Sequence, residues 1–373
     1  MRILVDVKNI ALYGGGIAHW ISPLLAAWIK HRPDDKFLLL GPDFNTEFLP
    51  KSDNWAHVRL NWPKWLPRQL QHPWYDNVLY PRAVARIKPD MVMSPYHDVR
   101  MPKGIPSIIS VHDLCLDEMD EVYPRRIRMY YLSLLRWNLK RASLILTVSE
   151  TSRRKLIERY GVAPDRVRVV YNASPAVFDE APEAKTVGEF KYRYAADCRL
   201  LFYAGGSEYR KNIERLVLAF RDLLQKDSRL ILLATGKRDA RWDVTLAQMP
   251  NDTRQKVVFA GRLNDQDLCL AYAAADAVIY PSLCEGFGRV CIEAMSVGTP
   301  LACSDLPVMR EVAGNYAHYF DPYDIDSMAR SVSASLSEGK RLPVRDLRFQ
   351  NAAVRASFLC AMDRFVGKDM HIR

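Results

Sequence analysis

The chain has 373 residues, 49% hydrophobic and 26% charged, enough for two domains with their own cores and unlike a disordered or fibrous chain. No run approaches the 18 apolar residues of a membrane span, and a strand-like segment begins at Arg2, so neither a spanning helix nor a cleavable leader is expected and the protein should stay in the cytoplasm. The net charge of +10 is lopsided: residues 1–173 hold 26 Lys/Arg against 17 Asp/Glu, the remainder 27 against 26, so an anionic partner is expected at the first half, whether phosphorylated substrate, nucleic acid or acidic membrane.

Short apolar runs alternate with helical patterns almost throughout. In the first half they are 2–7, 36–40, 90–94, 107–111, 144–148 and 167–171, which predicts a doubly wound parallel α/β sheet. The first run leads through Tyr13 to Gly14-Gly15-Gly16 and a helical pattern over 20–31. Glycines at such a turn allow backbone to approach a substrate, or simply make a flexible turn. This is neither a GxGxxG nor a P-loop, so nicotinamide cofactors and ATP are poorly supported.

Residues 61–80 are rich in aromatics and prolines. They suit an irregular loop packed on its own tryptophans or one that meets an acceptor or a membrane. His112 and Asp113 end the run 107–111, which puts His112 at the mouth of a strand-end cleft; a structural histidine is the competing reading. Residues 124–141 carry six cations, no acid and apolar residues at helical spacing. That fits a surface helix with a buried stripe, or one lying on an anionic membrane.

A polar, alanine- and proline-bearing stretch over 172–195 separates the halves, and the alternation restarts with runs at 199–204, 230–234, 256–260, 276–280 and 299–303. The first of these leads to Gly205-Gly206 and then Arg210-Lys211-Asn212 at a helix start. Two adjacent cations there can neutralise a diphosphate, whereas an exposed Arg-Lys pair elsewhere would mean little. Arg262-Leu263 follows the run 256–260 and offers a backbone edge for a nucleobase, with Asn264 as a helix cap. Asp324-Ile-Asp326 resembles a metal–nucleotide Asp-x-Asp, but helix capping is the better reading. The last segment, about 348–365, is helical in pattern and is expected to pack back across both domains.

The densest stretch is Pro281 to Met295. Glycines 286 and 288 flank Phe287 between a strand and a helix whose start would face an anion. Glu285 and Glu293 suit two contacts along an extended ligand such as a nucleotide-sugar; the alternative is a capping Glu285 and a merely solvated Glu293. Seven cysteines form no CxxC or Cys/His ligand pattern, so reduced thiols, no disulfide and no structural zinc are expected.

Taken together, the glycine turn at 14–16, His112-Asp113-Leu114, Val148-Ser149-Glu150, Arg210-Lys211-Asn212, Asp321-Pro-Tyr-Asp324 and above all Glu285-Gly286-Phe287-Gly288 with Glu293 resemble the family-4 retaining glycosyltransferases of the GT-B fold. The match spans nearly the whole chain. It implies two Rossmann-like domains facing across a cleft: 1–172 for the acceptor, completed by a C-terminal helix at about 350–373 crossing back, and 173–349 for the nucleotide-sugar. By the resemblance, Glu293 holds the donor ribose, Glu285 with Gly286 to Gly288 the donor sugar, and Arg210 and Lys211 the diphosphate, while His112 contacts the sugar near its reacting carbon. Gly15, Gly16, Gly205, Gly206, Arg262 and Leu263 complete the expected donor contacts, and Tyr13 and Asp113 the acceptor contacts. The catalytic residues are then His112 and Glu285. Many members carry arginine where this chain has Gly206, which leaves the cationic work to Arg210 and Lys211.

The implied reaction is transfer of an α-linked hexose with retention, without metal or other cofactor, by closure over the donor. Mannose or deoxymannose from a GDP-sugar is expected to pass to a saccharide or polyprenyl-diphosphate-linked acceptor in surface polysaccharide, such as lipopolysaccharide, assembly, on the inner face of the cytoplasmic membrane. A UDP-hexose donor is the runner-up, and a nucleotide-sugar epimerase or a phosphorylase shares the architecture. A nucleic-acid binder fits only the charge.

Overall fold

The computed structural model describes residues 1–13, 16–63, 65–119 and 122–369. The chain divides into two compact units, 1–172 with 352–373 and 173–351. The first holds a seven-stranded parallel sheet of β1 (Arg2–Asp6), β2 (Lys36–Gly41), β3 (Trp55–Arg59), β4 (Met91–Ser94), β5 (Ser107–Val111), β6 (Leu144–Thr147) and β7 (Val167–Val169), in the order β3-β2-β1-β4-β5-β6-β7. Residues of the four central strands are apolar because helices cover both faces. Leu4, Val92, Ile109 and Ile145 form one core with Leu135 and Leu139 of the helix Arg125–Arg141.

The second unit repeats the plan with six strands. They are β8 (Arg199–Tyr203), β9 (Leu230–Thr235), β10 (Val257–Gly261), β11 (Ala277–Tyr280), β12 (Leu301–Ser304) and β13 (Ala317–Phe320), in the order β10-β9-β8-β11-β12-β13. Leu201, Leu232, Ile279 and Ala302 pack against Val217 and Phe220 of the helix Ile213–Leu224 and Met328 and Val332 of the helix Ile325–Glu338. Both sheets have the doubly wound order, whose direction reverses between β1 and β4 and between β8 and β11. In such sheets ligands bind at the carboxyl ends of the two strands flanking the reversal.

Several expectations need correction. Strands β3 and β13 are absent from the apolar runs because both lie at sheet edges, where one flank is unpaired and mixed residues such as Trp55-Ala-His-Val-Arg59 suffice. The aromatic stretch 61–80 is largely helical from Arg68 onward. Trp62 points inward, its ring 4.6 Å from that of Tyr75, whereas Trp65 is 73% exposed. Cys198, Cys269, Cys291, Cys303 and Cys360 are free thiols. The C-terminal helix, Asn351–Asp369, places Phe358 5.9 Å from Trp28 and Asp363 2.9 Å from His31, both in the helix Gly16–His31. Among the described residues no helix is long and apolar enough to cross a membrane.

Candidate functional site

The switch point of the second sheet gathers most of the singled-out residues. β8 ends at Tyr203, whose hydroxyl turns back to donate to the Gly206 carbonyl at 2.6 Å. A Cβ on Gly205 would run into that hydroxyl, so glycine is required there; one on Gly206 would meet only the movable end of Glu208, 2.7 Å away. The loop continues through Arg210 and Lys211 to Asn212, which sits in the left-handed region at φ 60° and opens the helix Ile213–Leu224. Asparagine tolerates that backbone. Its buried carboxamide nitrogen donates to the carbonyls of Pro281, at 3.1 Å, and Pro322, at 2.8 Å. Asn212 therefore ties together the loops leaving β8, β11 and β13. The Leu283 amide adds a bond to the Arg210 carbonyl at 2.7 Å.

Held this way, the β8 and β11 loops bring three charges together. Arg210 Nη1 is 2.8 Å and Lys211 Nζ 2.6 Å from the same oxygen, Oε1, of Glu285. Burial would raise the Glu285 pKa, but Lys211 and Arg210 outweigh it and hold the carboxyl down at about 2. The carboxylate stays ionised at every physiological pH. Two cations on one carboxylate leave the trio with net positive charge, as a site for an anion requires.

Glu285 does not cap the helix that follows. That role falls to Gly288, at φ 103°, where a Cβ would come within 2.9 Å of Met309 Sδ, and the helix runs Arg289–Ser296. Phe287 is buried with its ring 5.3 Å from Phe349. Glu293, one turn into the helix, is buried rather than solvated: Tyr272 donates to Oε2 at 2.7 Å and Arg289 pairs with Oε1 at 2.9 Å. Gly261 ends β10, and its carbonyl accepts from Gly236 N at 2.8 Å. A Cβ on Gly236 would lie 3.7 Å from the Gly205 carbonyl. The ends of β8, β9 and β10 thus form a glycine-bearing backbone shelf next to the charged trio. Arg262, exposed, and Leu263, half-buried, leave this shelf toward the helix Asp265–Ala274, which Asn264 caps at 2.8 Å.

In the first unit, His112 follows β5. Its Nε2 hydrogen-bonds the Pro95 carbonyl at 2.9 Å and its ring meets Trp20 edge-on at 4.8 Å. Burial drives its pKa down to about 4, so the ring is neutral. The Asp113 carboxylate accepts from the Cys115 amide at 3.1 Å and shapes the turn. Gly16 opens the helix Gly16–His31 with open space around it. Gly14, Gly15 and the Tyr13 side chain lie outside the described residues. Asp324 accepts from the Ser327 amide at 3.0 Å and is a helix cap. Among the described residues no group of three or more His, Cys, Asp or Glu is arranged to hold a metal ion.

Residues 18–174 match the model of Glycosyltransferase Family 4, and residues 189–348 that of Glycosyl transferases group 1. The chain is 30% identical over 266 residues to the O-antigen chain mannosyltransferase B of Escherichia coli, covering 70% of each protein. The chain belongs to the family-4 glycosyltransferases of the GT-B fold. A second relative, the O-antigen chain mannosyltransferase RfbU of Salmonella typhimurium, is 28% identical over 271 residues, 72% of this chain and 70% of the relative. The sucrose-phosphate synthase of Thermosynechococcus elongatus superposes with a TM-score of 0.72 over 100% of this chain and 98% of its own, at 18% identity, a likeness of fold.

For this glycosyltransferase, sequence reasoning missed the residues that hold the site residues in place. Asn212 was seen as part of a triplet without a role, Tyr272 and Arg289 were not singled out as partners of Glu293, and Gly236 was not seen beside Gly205. An Asn directly before a helical run signals an extended N-cap, so the left-handed backbone of Asn212 had no signal of its own.

Proposed function

We propose that this glycosyltransferase moves an α-linked hexose, mannose or deoxymannose by preference, from a GDP-sugar to a saccharide or lipid-linked saccharide during surface polysaccharide synthesis. The observation that carries the reading is the convergence of Arg210 and Lys211 on the switch point of the second sheet, with Glu285 between them. In this reading the two cations hold the donor diphosphate, Glu285 and the Gly286–Gly288 backbone the sugar, Glu293 the ribose, and the backbone at Arg262-Leu263 the base. The mannose preference is supported by the names of the two O-antigen relatives.

Transfer proceeds with retention. The C1–oxygen bond to the diphosphate breaks with its electron pair passing to the diphosphate. The acceptor oxygen bonds C1 on the same face, and its proton goes to the departing phosphate oxygen. Negative charge grows on the leaving group as an oxocarbenium-like sugar forms, and Arg210 and Lys211 stabilise that charge without a metal ion. The neutral His112, whose Nε2–H donates to the Pro95 carbonyl, leaves Nδ1 to accept from a sugar hydroxyl near the reacting carbon and adds no charge there. The first unit takes the acceptor, with Tyr13 and Asp113 as contacts.

Peripheral membrane contact belongs to the same reading. The helix Arg125–Arg141 buries Leu132, Leu135 and Leu139 but exposes Met129 and Ile127 among Arg125 and Arg126, a surface suited to an anionic bilayer carrying the acceptor. Incubating the enzyme with membranes and radiolabelled GDP-mannose or UDP-hexoses, then determining the mass and anomeric configuration of the product, tests the proposal. An α-linked hexose from GDP-mannose is expected. Transfer from UDP-hexoses alone moves the donor assignment to UDP; free sugar without acceptor, or dependence on inorganic phosphate, replaces the transferase reading.

A further inference from the structure

The switch point of the first sheet holds a second set of charges. Lys8, two residues beyond β1, is fully buried, its Nζ 2.5 Å from Asp76 Oδ1 and 2.8 Å from Asp98 Oδ2. Asp6, at the end of β1, is also fully buried and accepts from the Lys8 amide at 3.0 Å and the Ser94 hydroxyl at 3.2 Å. Three carboxylates thus surround one ammonium. Burying such a group is costly, and well-packed apolar residues would serve stability as well.

The fold goes to some length to place them. Pro73 and Pro81 bracket a π-helical turn, Tyr75–Leu79, within the continuous helical stretch 68–87, because neither proline donates a backbone hydrogen bond. The widened turn lets the consecutive Tyr75 and Asp76 both face inward, and such turns recur at functional sites. Asp98 is fixed by its own support. The buried Asn138 donates to the carbonyls of His97, at 2.9 Å, and Val99, at 2.7 Å, and accepts from the Met101 amide at 3.0 Å. That pins the loop leaving β4 to the helix Arg125–Arg141.

Two further observations point to a ligand. The hydroxyls of Tyr75 and Tyr80 and Nδ1 of His97 are buried and have no hydrogen-bond partner among the described residues. Both hydroxyls feel the charges of Asp6 and Asp98, which is hydrogen-bonding capacity left over beside the carboxylates. Asp98 is also the member that reaches solvent: its side chain is 11% exposed, against 0% for Lys8 and 1% for Asp76. One of its oxygens is taken by Lys8; the other, among the described residues, meets the Asn9 amide at 3.5 Å. Two residues earlier, the half-buried Tyr96 ring packs 4.2 Å from that of His97 and 6.1 Å from that of His112.

We infer that the carboxyl ends of β1 and β4 form a saccharide subsite in which Asp98, held by Lys8, accepts hydrogen bonds from sugar hydroxyls. The chemistry fits a neutral polyol. A carboxylate accepts from hydroxyls, and surplus negative charge repels a phosphate. Lys8 is then a positioning residue, and Asp98 a binding residue for the acceptor. This inference rests on the first unit taking the acceptor.

The test uses the full chain, octyl α-D-mannopyranoside and octyl N-acetyl-α-D-glucosaminide as probes, and the isosteric substitution Asp98→Asn. Asp98→Asn is expected to weaken binding of at least one glycoside tenfold or more, with the Kd for GDP and UDP within twofold of the parent, which also shows that the variant is folded, and with a lowered melting temperature because Lys8 loses a charge partner. Equal glycoside binding by parent and Asp98→Asn, or no glycoside binding by the parent, overturns the inference. The nucleotide titrations on the same samples test the donor reading separately, so the two can fail independently.

Discussion

Lys211 Nζ and Glu285 Oε1 stand 2.6 Å apart, and Arg210 shares that oxygen at 2.8 Å. Glu285 therefore shares the cations proposed for the diphosphate. A nucleoside diphosphate competes with that carboxylate for them.

Glu285→Gln separates these roles. Without its charge, Arg210 and Lys211 face less internal competition, so bare GDP should bind more tightly, by about threefold to tenfold, while turnover falls on the order of 10²-fold through loss of a charge-assisted contact to the reacting sugar. Isothermal titration and initial-rate measurements check the two directions. Glu293→Ala should instead raise the donor KM, with a smaller change in kcat.

Asn212 holds three loops through two buried bonds from one nitrogen. Asn212→Gly keeps the left-handed backbone and deletes both bonds, so a loss of about 1–3 kcal/mol and a lower melting temperature are expected. Because the β8 and β11 loops then lose their common tie, donor affinity should fall as well. A change in stability with unchanged GDP binding would detach Asn212 from the site.

The buried charges set a pH dependence. Burial raises the pKa of Asp6 to about 6 and of Asp76 to about 7, although Lys8 opposes the shift. Folding therefore favours their protonated forms, and that stabilisation, complete below about pH 4, is lost as pH rises through 6 and 7. Glu285 has the opposite sign: its pKa is lowered from 4.5 to about 2, and its stabilisation is lost as pH falls below about 4.5. Lys8, held protonated by its carboxylates, contributes evenly over this range. Melting temperature should peak near pH 5, and Asp6→Asn should flatten the decline between pH 5 and 7. A profile unchanged by Asp6→Asn would refute the attribution.

The exposed Met129, 61% accessible, and Ile127 flank the cations of the helix Arg125–Arg141. Vesicles with about one third phosphatidylglycerol should co-sediment the enzyme at low salt and release it at high salt. Met129→Ser with Arg125→Glu and Arg126→Glu should abolish co-sedimentation and leave transfer to a water-soluble saccharide intact. Binding that survives the triple substitution would move the contact elsewhere.

The central strands were legible because both faces of each are covered, which writes an unbroken apolar run into the chain. The edges β3 and β13 were not, since a strand paired on one side can be mixed in composition, as Trp55–Arg59 is, although the edges β7 and β10 do carry apolar runs. In the site, glycines and adjacent charges after a strand are local signals, and Gly205, Arg210, Lys211 and Glu285 could be read from them. Tyr272 reaches Glu293 across 21 positions and Lys8 reaches Asp98 across 90; such partnerships appear only when strand order brings the segments together. Nothing in the sequence around Lys8 announces the carboxylates that gather about it.

The most direct measurement is the melting temperature of the parent and of the double variant Arg210→Ala/Lys211→Ala with GDP or UDP, because a nucleotide that binds only the folded state raises it. The parent is expected to gain several degrees with GDP and less with UDP, and the double variant to gain nothing with either. Equal gains in parent and double variant would contradict the placement of the diphosphate on Arg210 and Lys211.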